Sequence, residues 1–169
     1  QEAGYVVNSR LATFEDAAAI AEIYNQGIDD RTATFETRHR TTEDVRAWFD
    51  DRYPIVVVET DRGVVAFAST STYRPRDCYA GIAEFSVYVE RQSRGHGAGR
   101  LAMEALLTEA ERHGFWKLVS RIFTQNTASR VLMQKLGFRE VGVYERHGQL
   151  DGVWRDVVIV ERLIVANAK

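Results

Sequence analysis

A glycine-rich turn, Arg94-Gly95-His96-Gly97-Ala98-Gly99, constrains this chain more than any other feature, because it joins a strand pattern directly to a helix pattern. Before it, from about Ala80 to Glu90, Phe85, Val87 and Val89 alternate with Glu84, Ser86, Tyr88 and Glu90, so the two sets face opposite sides of a strand. After it, Leu101, Ala102, Ala105, Leu106 and Ala110 recur at helical spacing until Gly114 closes the segment. The first N–H groups of such a helix converge on one point, and the helix dipole adds roughly half a positive charge there. Glycine removes the side chains that would hold a diphosphate away from the backbone. Arg94 and Arg100 flank the turn and can neutralise further charge. No Lys-Ser/Thr follows the last glycine, which excludes a P-loop, and the order of glycines fails the dinucleotide fingerprint. A plain strand-to-helix turn stays open as the alternative.

The rest of the chain alternates strands and helices. Val6 to Thr13 reads as a short extended start, and Thr13 with Asp16 as a capping box. The helix that follows carries Ala17, Ile20, Ala21, Tyr24 and Ile28 on one face. Residues 29–36 read as a polar loop, and Thr42 as the cap of a second helix reaching about Tyr53. Ile55 to Glu59 and Val64 to Thr72 form a hairpin turned at Asp61-Arg62-Gly63. Lys117 to Thr124 is a strand, Asn126 to Leu136 a helix stopped by Gly137, and two strands follow near Phe138 to Glu145 and Val153 to Leu163. This order predicts one α/β (α+β) domain over 1–169, with a layered sheet-and-helix architecture.

The formal net charge is only -2 with both signs interspersed, so any anion site has to be built locally and no nucleic-acid footprint is expected. No apolar run approaches the roughly 20 residues of a bilayer span, and Gln1 to Arg10 lacks the order of a secretory signal. The single cysteine, Cys78, fits a reducing cytoplasm. His39, His96, His113 and His147 have no partners at metal-ligand spacing, and no metal is expected.

The glycine turn resembles the Q/R-x-x-G-x-G/A signature of the GCN5-related N-acetyltransferase superfamily, and Asn126, Ser129 and Leu136-Gly137-Phe138 resemble its downstream N-x-x-S…L-G-F pattern. Tyr24-Asn25, Thr32-Ala33-Thr34-Phe35, Tyr73-Arg74-Pro75-Arg76, residues 84–89 and Gly152-Val153-Trp154-Arg155-Asp156-Val157 are similar to the phosphinothricin N-acetyltransferase family, nearest its arsinothricin branch. The resemblance covers Val6 to Leu163. It implies the GNAT fold: a mixed, mostly antiparallel sheet of about six to seven strands flanked by about four helices. It also implies a homodimer, with acetyl-CoA as co-substrate.

Carried onto this chain, the resemblance implies that the backbone of Val87, Tyr88 and Val89 pairs with the pantetheine arm. The N–H groups of Arg94 to Gly99, with Arg100 beside them, would hold the pyrophosphate, and Asn126 and Ser129 would face the coenzyme. Asn126 also reads as a helix N-cap. Glu84 matches the family's general base; an ammonium group must lose a proton before it can attack, and a carboxylate on the polar face of a central strand can take it. Arg76, with Arg74, matches the loop that anchors an anionic substrate, which suits the forked geometry of guanidinium. Thr34, Phe35 and Tyr79 are candidate pocket walls. Two positions depart from the pattern. Met133 stands where many relatives place a tyrosine as general acid, leaving Tyr144 and Tyr88 as substitutes, and Asp151 stands where relatives carry a histidine.

The expected function is acetyl-CoA-dependent acetylation of the amino group of a small anionic amino-acid analogue, giving resistance. The alternatives are a protein N-terminal acetyltransferase and a non-enzymatic acetyl-CoA-binding module.

Overall fold

The computed structural model describes residues 7–169. Their strands form a seven-stranded sheet in the order β1-β2-β3-β4-β5-β7-β6. The strands are β1 (Asn8–Leu11), β2 (Ile55–Thr60), β3 (Gly63–Thr72), β4 (Ile82–Val89), β5 (Lys117–Phe123), β6 (Arg139–Leu150) and β7 (Val153–Leu163). Only β4 and β5 run parallel; every other neighbouring pair is antiparallel. The helices are α1 (Ala17–Asp30), α2 (Thr42–Arg46), α3 (Ala98–Arg112) and α4 (Thr127–Lys135). None of them is long and apolar enough to cross a membrane.

Strand alternation sorts the apolar side chains into two layers. Val56, Val58, Ala66, Ala68, Phe85, Leu118 and Val160 meet Ala102, Met103, Leu106 and Ala110 of α3 and Met133 of α4 on one face. Ile55, Val57 and Phe67 meet Ala17, Ile20 and Ile23 of α1 and Val45 of α2 on the other. Phe67 is fully buried between α1 and the sheet, and burying a side chain of that size contributes roughly 1.5–3 kcal/mol.

The start of α1 follows the expected box: the Asp16 carboxylate accepts the Thr13 N–H at 2.8 Å and takes Arg10 bidentately at 2.8 and 2.9 Å. The second helix differs from expectation. Its cap is Thr41, whose Oγ1 accepts the Asp44 N–H at 3.0 Å, and it ends at Arg46 rather than near Tyr53. Trp48 and Phe49 leave the helix to cover Tyr24 and Phe14 edge-on, and Asp50 bridges to Tyr53. Tertiary aromatic packing overrides the local helical pattern there. Strand β6 is also longer than expected, running to Leu150 through two irregularities, and Asp151 (φ 52) and Gly152 (φ 78) turn it into β7. Positive φ at both central residues is the hairpin geometry that Asp-Gly favours.

Candidate active site

The site begins where the parallel pair ends. Strands β4 and β5 are in register only over Ile82–Glu84 and Lys117–Val119. Beyond Glu84 they part, bridged by the Ser120 hydroxyl donating to the Phe85 carbonyl at 2.8 Å. Backbone groups alternate sides along a strand. The Glu90 N–H reaches β3 at Val65, whereas the Gly81 and Phe85 carbonyls receive donors from the β5 side. By the same alternation Val87 and Val89 turn their N–H and C=O groups toward the opening, where no strand faces them. The opened cleft is lined by Ser86, Val87, Tyr88, Ser120, Arg121, Asn126 and Ser129, so it brings together four of the sequence-predicted residues, Val87, Tyr88, Asn126 and Ser129.

At the far end of β4 a short turn, Arg91–Ser93, leads into the glycine cradle. Gly95 (φ 84) and Gly97 (φ 87) take left-handed conformations that a side chain would strain. The first helical bond of α3 runs from the Leu101 N–H to the Gly97 carbonyl at 3.1 Å, so the N–H groups of Ala98, Gly99 and Arg100 have no helical acceptor. With the unpaired edge of β4, they put free backbone groups at both ends of the path from the cleft to the helix, while the N–H groups of Glu90, Arg91 and Ser93 between them are already bonded. That arrangement fits a ligand with an amide-bearing arm and a diphosphate. At Gly99 a Cβ would meet Val89 at 3.4 Å and Leu132 at 3.5 Å, ordinary contact distances, so this position is not closed to a small side chain.

The flanking arginines are braced rather than free. Arg94 donates through Nε to the Val89 carbonyl at 3.2 Å and pairs with Asp30 at 2.6 Å, while Arg91 holds the other oxygen of Asp30 at 2.7 Å. Arg100 pairs with Glu104 at 3.3 Å. The His96 side chain lies on the opposite side of the turn, lining a small recess with Thr60, Arg62 and Leu101, so only its backbone belongs to the cradle. Asn126 caps α4, its Oδ1 accepting the Ser129 N–H at 3.2 Å and its Nδ2 donating to the Thr32 carbonyl at 3.4 Å. The cap and the cleft position coexist.

Glu84 occupies the last paired position before the strands part, with its side chain 29% exposed. Its face of the sheet continues into Ser86, and Ser86 also lines an open cavity of about 370 Å³ between α1, the α2 region and β3. Tyr24, Trp48, Tyr53, Ser69, Ser71 and Thr72 form the walls of that cavity. Glu84 therefore stands beside the junction of a groove with backbone donors and a cavity with hydroxyl and aromatic walls. Its nearest cation is Arg121, with Nη2 to Oε1 at 3.6 Å.

Arg74 and Arg76 lie on the exposed loop that follows Thr72 at the cavity's rim. Each stacks on a tyrosine, Arg74 over Tyr73 at 5.0 Å and Arg76 over Tyr79 at 5.7 Å. The hydrogen bond to Tyr73, then the nearby phenols of Tyr79 and Tyr144, raise the affinity of Arg74 for its proton. Thr34 is a tie within its loop: its hydroxyl accepts the Glu36 N–H at 3.1 Å. Phe35 is packing, edge-on to Phe123 at 4.8 Å and seated against Gly148.

The two departures from pattern acquire structural reasons. Met133 is 1% exposed in the core under α3, so nothing polar at that position would face the cleft without new packing. Tyr88 stacks on Phe67 at 5.5 Å, and burial pushes its phenol well above the usual tyrosine range, which makes it a poor acid at neutral pH. Tyr144 lies exposed on β6, stacked on His147 at 4.5 Å. Asp151 is held in the β6–β7 turn by Arg31 at 2.8 Å, which ties that turn to the end of α1.

Sequence reasoning missed Arg121. The signal was present: in Lys117–Phe123 it is the one charged residue inside the strand, on the same alternating set as Val119 and Phe123.

Residues 9–139 match the family described as Acetyltransferase (GNAT) domain. An L-methionine sulfoximine/L-methionine sulfone acetyltransferase of Pseudomonas aeruginosa is 34% identical over 90% of this chain and 91% of its own length. A GNAT superfamily phosphinothricin acetyltransferase from Sinorhizobium meliloti, solved in complex with acetyl-CoA, superposes with a TM-score of 0.86 at 28% identity, covering 93% of this chain and 88% of its own. A ribosomal-protein-alanine N-acetyltransferase from Brucella melitensis superposes at 0.88 with 30% identity, covering 93% of this chain and 99% of its own.

Proposed function

The chain belongs to the GNAT acetyltransferase family, and from that premise we propose that it acetylates the α-amino group of a small anionic amino-acid analogue. It is an acyltransferase whose co-substrate is acetyl-CoA. The substrate class is that of phosphinothricin, arsinothricin and methionine sulfoximine, and acetylation of such a compound would give resistance to it. One observation carries the reading: Glu84 stands where the paired part of β4 ends and its free edge begins.

Acetyl-CoA supplies an acyl carbonyl already activated by its thioester. The residues that would hold it are the backbone of Val87 to Val89, the N–H groups of Arg94 to Gly99, and Asn126 and Ser129. Glu84 then takes the proton of the substrate ammonium, directly or through a water, so that the amine can attack. Arg74 and Arg76, on the rim, draw the substrate's oxyanions toward the cavity, which suits the forked geometry of guanidinium. Thr34, Phe35 and Tyr79 shape the walls from behind. With Met133 buried, the thiolate leaves without a side-chain acid, and its own stability makes that workable.

The cytoplasm is the proposed location, and a homodimer the proposed assembly. Val143 and Trp154 are exposed on one face of the β6–β7 hairpin and Tyr144 and Val153 on the other, and this exposed apolar surface at the sheet's end supports a subunit contact there. The Brucella melitensis neighbour favours a second reading, acetylation of a protein N-terminus. Thiol release from acetyl-CoA, measured with phosphinothricin, arsinothricin, methionine sulfoximine and a basic peptide, separates the two. Preference for the peptide overturns the small-molecule reading.

A further inference from the structure

Two oppositely charged groups face one another where β4 and β5 part, Arg121 lining the cleft and Glu84 at the last paired position beside it. The Glu84 carboxylate and the Arg121 guanidinium are 3.6 Å apart, beyond hydrogen-bond length, and their side chains are 29% and 48% exposed. Arg121 is also the only cation among the described residues that line either the β4–β5 cleft or the adjoining cavity. The loop arginines, Arg74 and Arg76, line neither.

We infer that Arg121 is the receptor for the substrate's α-carboxylate, so that a zwitterionic α-amino acid docks head-to-tail on the Glu84–Arg121 pair. The inference rests on Glu84 being the base. An amine must come within roughly 2.6–3.2 Å of the base that deprotonates it. In an α-amino acid the carboxylate carbon is about 2.5 Å from that nitrogen, because only two covalent bonds separate them. A carboxylate so close to the base needs a cation equally close, and Arg121 is the one ion-paired to Glu84. When the zwitterion inserts, the charges alternate: ammonium on Glu84, carboxylate on Arg121. Each partner of a loose ion pair exchanges one opposite charge for another, so little solvation is lost that was not already lost. Guanidinium can take the carboxylate with two parallel N–H donors, which fixes the amine's direction as well as its distance. Arg74 and Arg76 on the rim are then left for the distal oxyanion of the side chain. The site thereby distinguishes an α-amino acid from a simple amine or a blocked acid.

The test compares Arg121→Ala and Arg121→Lys with the parent enzyme on L-methionine sulfone and on its methyl ester, which keeps the amine but removes the carboxylate charge. Losing a charge-assisted hydrogen bond should raise KM for the acid roughly 10- to 100-fold in Arg121→Ala. The ester's KM and that of acetyl-CoA should stay within about twofold of the parent, and Arg121→Lys should recover part of the loss. An unchanged acetyl-CoA KM also shows that the variant is folded. Equal losses on acid and ester would mean that Arg121 only orients Glu84, and no loss on the acid would mean that it binds nothing; either result overturns the inference. Failure of the underlying reading looks different: full turnover by Glu84→Gln, or no turnover of the acid by the parent enzyme.

Discussion

Gly27 of α1 lies flat against the ring of Tyr88 on β4: a Cβ at Gly27 would stand 2.7 Å from both Cδ1 and Cε1 of that ring. Tyr88 cannot retreat, because Phe67 stacks on it at 5.5 Å and Tyr24 abuts it at 5.1 Å. The contact therefore sets how closely α1 approaches β4 beside the two residues whose backbone opens to the cleft.

Two opposing magnitudes decide what Gly27→Ala does. Alanine is favoured over glycine inside a helix by about 1 kcal/mol. Forcing a methyl into a packed aromatic cluster costs typically 1–3 kcal/mol. The clash wins, and the variant should melt a few degrees below the parent in a thermal scan, with weaker acetyl-CoA binding. A raised melting temperature would show that the ring has room to move.

Gly97 caps α3 with φ 87. Alanine there costs roughly 1–2 kcal/mol of backbone strain, and relief of that strain turns the donors of the cradle away. Gly97→Ala should raise the acetyl-CoA KM about tenfold and leave the amine substrate's KM nearly unchanged. An equal rise in both would place the defect in the whole site rather than in the cradle.

Arg76→Ala and Arg74→Ala should each raise the KM for an analogue bearing a distal oxyanion, with the acetyl-CoA KM unaffected. A substrate with a neutral side chain, such as methionine sulfone, should be nearly indifferent to either change. Equal sensitivity of both substrates would remove the rim arginines from recognition of the distal group.

The hydrogen bond from Arg10, reinforced by the Thr13 N–H, holds the Asp16 carboxyl below the usual carboxylate range despite its burial. A lowered folded-state pKa means that the unfolded chain binds the proton more readily. The stability it contributes is complete above about pH 4 and is lost as pH falls through the lower folded value. Asp16→Asn should cost about 1 kcal/mol in urea denaturation at pH 7. The gap between variant and parent should narrow steadily in acid; a gap of constant size from pH 7 to pH 2 would contradict the assignment.

The parts of the fold that were legible in sequence are those in which a local pattern and its tertiary use agree. The alternation along β4, the helical spacing after Gly99 and the Asp16 box all survive because the core reads the same faces that the spacing presents. The second helix failed because Trp48 and Phe49 find better partners outside it than within it. Asp151 was read only as standing where relatives carry a histidine, although Asp-Gly between two strands already signalled a turn. The parting of β4 from β5 had no local signal at all, since it depends on register between segments far apart in the chain. Arg121 matters only because of that parting, and its importance follows from the register rather than from its own surroundings in sequence.

The central claim is that Glu84 removes the proton from an amine delivered beside the coenzyme's groove. Its most direct test is the turnover number of Glu84→Gln, with acetyl-CoA affinity measured on the same preparation by calorimetry. The account predicts a fall in kcat of roughly 100-fold or more at neutral pH, with acetyl-CoA affinity within twofold of the parent. A variant that binds acetyl-CoA normally and turns over at the parent's rate would contradict it.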